Sequence, residues 1–121
     1  MAGRWQTARG DEWWFSDANR SMTASIGAGD AVTLSEFTVR GADLSARGLL
    51  DMLAAARSQF PQSRIYTVLD ATTRPLLNAL SGEGRVSFRT IDTGLGQDAE
   101  ITAVNANNSP SNKSFERTRE G

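Results

Sequence analysis

Cysteine and histidine are both absent from the 121 residues. That excludes disulfides, thiol nucleophiles, Cys/His zinc sites and imidazole acid–base chemistry together. Tyrosine occurs once, as Tyr66, and proline three times. Any chemistry must rest on carboxylates, hydroxyls, Lys or Arg, Tyr66 or backbone amides, which favours a non-catalytic role. No apolar run approaches the roughly 18 residues that mark a membrane-spanning helix. The opening MAGRWQTARG has no apolar stretch of a secretory leader, so a virion or cytoplasmic location is expected rather than secretion. Neither sign of charge dominates: 13 basic residues stand against 14 acidic ones, a net charge of −1. That balance gives no nucleic-acid or anionic-membrane signature.

What is present suits one domain with a modest core: 39% of residues are hydrophobic and 22% charged. Residues 1–11 are small, polar and basic and read as an N-terminal arm. Residues 12–104 form the core, and 105–121, rich in Asn, Ser and charge, read as an extended or disordered tail with one aromatic, Phe115. Glu12-Trp13-Trp14-Phe15 begins a strand. Its two adjacent tryptophans must face opposite sides of a sheet, one entering the core and the other covered by the arm, a helix or a partner. Trp13, Trp14, Phe15 and Phe115 are the candidate interaction residues. Met22–Ile26 alternates as a second strand. In Val32–Val39, Val32 and Leu34 share one phase and Phe37 and Val39 the other. An extra residue at Ser35-Glu36, a β-bulge, would return all four to one face; a strand buried on both faces needs no bulge.

A helix from the Arg40–Ala46 loop to about Gln59 places Leu49, Leu50, Leu53, Ala56 and Phe60 on one stripe. Asp43 or Ser45 is its N-cap, and Pro61 ends it. Arg64–Leu69 reads as a central strand. Leu76, Leu77 and Leu80 give a second helix its inner face, with Pro75 in its first turn and Gly82 or Gly84 closing it. Asp70, at the strand end, suits a ligand site or a helix cap. Residues 85–91 and 99–104 read as a hairpin across a turn-rich connection. The order is β-β-β-α-β-α-β-β: an α/β (α+β) fold with a mixed, mostly antiparallel sheet and one βαβ crossover.

Over Trp13–Val104 this order resembles the second half of the GNAT-type N-acetyltransferase fold. The resemblance rests on the phase break in Val32–Val39 and on the positions of Val39, Leu49-Leu50, Ile65 and Gly84. It implies an acetyl-CoA loop of the form Arg/Gln-x-x-Gly-x-Gly/Ala opening the long helix, where amides hold a pyrophosphate. The corresponding window is Gly41-Ala-Asp-Leu-Ser-Ala46. Only Ala46 fits; Leu44 replaces the central glycine and Asp43 puts negative charge beside a phosphate. The general-acid tyrosine position falls near Leu80. Glu36 lies where some members carry a strand base. The expectation is a structural or interaction protein without a cofactor, a component of a larger assembly such as a bacteriophage particle. Its partners are proteins of that assembly, a second copy among them. The alternative is a CoA-dependent N-acyltransferase with Glu36 as catalytic base and Gly41, Leu44 and Ala46 binding acetyl-CoA. No metal site is expected. A small adaptor adding a strand through a sheet edge is a third reading.

Overall fold

Residues 3–106 are described in the computed structural model of the chain. Strands β1 (Arg4–Thr7), β2 (Glu12–Ser16), β3 (Arg20–Ile26) and β4 (Val32–Val39) form an antiparallel meander. Helix α1 (Ala46–Gln59) then crosses to β5 (Ile65–Val68), which lies parallel to β4. Helix α2 (Thr73–Gly82) leads to a hairpin of β6 (Val86–Thr93) and β7 (Gly96–Val104), with β7 inserted beside β5. The result is one mixed seven-stranded sheet in the order β1-β2-β3-β4-β5-β7-β6. It is mostly antiparallel, with the single parallel pair β4–β5.

Part of the presumed N-terminal arm is a strand. Arg4–Thr7 pairs antiparallel with Trp13–Ser16, and Trp5 ties it down by packing its ring on Phe15 at 5.2 Å and on Phe60 at 5.3 Å. A β-carbon added at Gly3 would overlap the Phe15 ring, so the chain passes here as glycine. The final hairpin is also longer than its turn-rich sequence suggests. Thr93 pairs directly with Gly96, leaving only Gly94 and Leu95 as the connection.

Both helices lie on one face of the sheet. The crossovers β4-α1-β5 and β5-α2-β6 step across the sheet in the same direction, so right-handed connections place both helices on the same side, where they pack on each other. Under them Met22, Leu34, Leu49, Leu53, Ile65 and Leu77 are fully buried. Ser45 caps α1, its Oγ accepting the Gly48 N–H at 3.0 Å. At the other end, the Arg57 guanidinium donates to the Ser63 carbonyl at 2.9 Å, placing a cation at the negative end of the helix. The opposite face of the sheet carries Ser21, Thr23, Ser25, Thr33 and Ser35, together with Trp14 and Tyr66. No helix among the described residues covers it.

Candidate functional site

Three places carry the residues that the sequence singles out: the first turn of α1, the middle of β4, and the aromatic cluster of β1 and β2.

The first turn of α1 is closed by its own side chains. Ser45 Oγ occupies the Gly48 amide, and a β-carbon at Gly48 would meet Ser45 Oγ, the Arg20 stem and the Leu44 side chain. Leu44, half-buried, packs against the core. Gly41 turns the preceding loop with φ 73°, and Ala46 is the first helical residue. Beside them lies an open cleft of about 350 Å³, lined in part by Asn19, Arg20, Ser45 and Arg47. Its central cation is already engaged. Arg20 donates to Asp17 Oδ2 at 2.7 Å and, across to α1, to Asp51 Oδ2 at 3.0 Å. Arg47 reaches Asp51 Oδ1 at 3.1 Å.

The charges stabilise one another. The hydrogen bond to Asp51 raises the Arg20 pKa above its ordinary value, burial opposes this, and Asp17 adds to the rise. Burial works against the Asp17 carboxylate, but the Asn19 amide and the Arg20 guanidinium and amide outweigh it, so its pKa is lowered. Sequence reasoning missed this network, which joins Asp17, Arg20, Asp51 and Arg47. An Asp-x-x-Arg spacing at a turn was the available signal.

In β4 the bulge is real. On β3 the register steps from Ser21 to Thr23 while on β4 it steps from Thr38 to Ser35, leaving one extra residue on β4. Glu36 sits there with φ 57°, a left-handed backbone that side-chain-bearing residues seldom adopt. The extra residue returns Phe37 and Val39 to the helix-covered face used by Val32 and Leu34. The Glu36 side chain is exposed, and its Oε1 accepts from Thr23 Oγ1 at 2.8 Å. The β4–β5 ladder ends at Leu34 and Thr67 although β4 runs on to Val39.

The tryptophans divide as alternation requires, but only one of the expected interaction residues on β2 is open. Trp14 is 41% exposed on the uncovered face. Trp13 is half-buried, edge-on to Phe60 at 5.8 Å, and its indole N–H donates to the Gly10 carbonyl at 3.1 Å. Phe15 is 5% exposed and belongs to the core rather than to a surface. Trp5, the one aromatic residue of the expected arm, completes this cluster. Phe115 lies outside the described residues.

Asp70 is a helix cap: its Oδ1 accepts the Thr72 and Thr73 amides, each at 2.9 Å. The Thr73 amide bond lowers its pKa, burial opposes this, and the Thr72 amide adds to the lowering. Tyr66 is half-buried on β5. Among the described residues no group of three or more Asp, Glu, Cys or His could hold a metal, and no helix is long and apolar enough to cross a membrane. The architecture defines an α+β protein with one helix-covered sheet face. Comparison with protein-family models, curated proteins and solved structures returns no match for the chain.

Proposed function

We propose that this chain is a structural or interaction protein of a larger assembly, such as a bacteriophage particle, built on an acetyltransferase-like core that has no catalytic role. The observation that carries this is the closed first turn of α1. Where a pyrophosphate would need free amides and close backbone approach, Ser45 takes the Gly48 amide, Leu44 packs alongside, and Arg20 is neutralised by Asp17 and Asp51. The uncovered sheet face with Trp14 exposed adds a surface suited to a protein partner.

The test is incorporation. The chain should be recovered at fixed stoichiometry with purified particles, and deletion of residues 105–121 should abolish recovery while the truncated chain keeps its far-UV circular dichroism. Normal incorporation of the folded truncation would count against a role for the tail. Absence of the full-length chain from every particle preparation would remove the assembly role.

A second reading, a CoA-dependent N-acyltransferase with Glu36 as base, is favoured by one observation. Glu36 is held in a strained backbone conformation beside the place where the β4–β5 ladder ends, and such strain concentrates at functional sites. Calorimetry with acetyl-CoA separates the readings. Micromolar binding, about −8 kcal/mol, would establish the second, and no heat at millimolar ligand would exclude it.

A further inference from the structure

The sheet has two free edges among the described residues, and they differ in kind. The β1 edge is only four residues long. The β6 edge is eight residues long, and its Ser87, Arg89, Thr90, Asp92 and Thr93 are exposed. Soluble proteins usually blunt a long edge with proline, lysine, a bulge or an outward charge. Strand β6 contains neither proline nor lysine, and the bulge in this hairpin, at Thr102, lies on β7.

The two charges that β6 does carry are turned back onto its neighbour. Arg89 donates from Nε and Nη2 to Glu100 Oε1, each at 2.7 Å, and Glu100 is 8% exposed. Asp92 Oδ1 accepts from Gln97 Nε2 at 3.0 Å. Both partners belong to β7, so the side chains that would guard the edge are engaged away from it.

The backbone is equally specific. The Arg85 carbonyl accepts the Asn105 amide at 2.7 Å, and Thr93 closes the two-residue turn opposite Gly96. In an antiparallel ladder, hydrogen-bonding direction alternates along a strand. Residues 85, 87, 89, 91 and 93 therefore face β7. Val86, Phe88, Thr90 and Asp92 present their N–H and C=O groups outward.

We propose that β6 pairs antiparallel with β6 of a second copy of this chain about a two-fold axis at Thr90, making one continuous sheet of the two molecules. The occupant follows from self-complementarity. Centred on Thr90, the outward-facing residues meet outward-facing ones: Thr90 faces Thr90 of the second copy, and Phe88 faces its Asp92. Arg89 falls opposite Ile91, and no like charges stand directly opposite each other. A centre at Asp92 would set two carboxylates face to face. A centre at Phe88 would leave Asp92 beyond the start of the opposing β6. The inference does not depend on the assembly role, since an acyltransferase could pair in the same way.

The natural absence of cysteine makes the test direct. The full-length chain should scatter light as a species of twice 13.1 kDa. Thr90→Cys should form a disulfide-linked dimer on mild oxidation, because facing residues of a hydrogen-bonded antiparallel pair have Cα atoms about 5.5 Å apart, inside the bridgeable range of about 4.4–6.8 Å. Thr7→Cys, on the β1 edge, should remain uncross-linked. Thr90→Pro removes an outward N–H without touching the β7 ladder and should give a monomer with unchanged circular dichroism. Should Thr90→Pro unfold, the cysteine variants decide. A monomeric wild-type chain, or a dimer in which folded Thr90→Cys does not cross-link, overturns the proposal.

Discussion

Arg20 on β3 and Asp51 on α1, thirty-one positions apart in the chain, meet at 3.0 Å and fasten the long helix to the meander. The same guanidinium holds Asp17 at the β2–β3 turn, so one side chain joins three segments. Arg20→Ala is predicted to cost about 1–2 kcal/mol, because it leaves two partly buried carboxylates short of a partner. The Arg20/Asp51 double-mutant cycle in urea should show a coupling of about 0.5–1 kcal/mol, discounted for partial exposure of both groups. Additive single effects would show that the pair contributes no coupling energy.

Acid should weaken the fold through Asp17 and Asp70. Both have folded-state pKa values below the ordinary 3.8. Their contribution is therefore present above that value and is lost as pH falls through the lower folded-state value, because the unfolded chain takes up protons first. Urea midpoints measured downward from about pH 5 should fall with decreasing pH. Asp70→Asn should make the decline shallower. An unchanged slope in that variant would mean that the cap is not a source of the acid sensitivity.

Trp13 and Trp14 are neighbours in sequence but should behave oppositely. Trp13→Ala removes the ring packed on Phe60 and an indole hydrogen bond, and is expected to cost about 2–4 kcal/mol. Trp14→Ser alters an exposed side chain on the uncovered face and should stay within about 0.5 kcal/mol. Chemical denaturation of the two variants checks this; equal losses would mean that the faces are assigned wrongly.

The left-handed backbone of Glu36 predicts a ranking of substitutions. Glu36→Gly relieves about 1 kcal/mol of backbone strain and loses the hydrogen bond from Thr23, worth about 0.5–1.5 kcal/mol, so it should be close to neutral. Glu36→Val adds β-branching to the same strained backbone and should cost about 1–2 kcal/mol more than Glu36→Gly. Thermal denaturation of both variants tests the bulge. If valine is tolerated as well as glycine, the backbone does not adopt this conformation.

Where sequence carried the information, it did so through conflict or capping chemistry. The bulge at Glu36 is signalled because Val32/Leu34 and Phe37/Val39 fall on opposing phases, which one extra residue reconciles; burial of the strand on both faces was the other solution, and the exposed Glu36 side chain speaks against it. Asp70 sits two and three residues before the amides it caps, and Ser45 three residues before Gly48. Strand β1 is not readable in this way. Arg-Trp-Gln-Thr has one apolar residue, and what makes it a strand is Trp5 meeting Phe15 and Phe60, a distant partnership that no local pattern encodes. Phe15 shares its phase with Trp13, so its burial follows once Trp13 is known to face α1; sequence alone leaves open which of the two tryptophans does. The Arg20–Asp51 bond required the packing of α1 on β3 to be known first.

The short β4–β5 ladder also bears on how the molecule assembles. On one side of it, β1–β4 are joined by local turns; on the other, β5 reaches the β6–β7 hairpin through α2. Among the described residues the β4–β5 ladder comprises three pairs, Val32/Ile65, Thr33/Tyr66 and Leu34/Thr67, and bringing them into register requires closing the loop that contains α1. The ribbons are expected to form early, with their joining setting the folding rate. Ile65→Val should then slow refolding in stopped-flow measurements more than Trp13→Phe does. If both instead act only on the unfolding rate, the seam closes after the rate-limiting step.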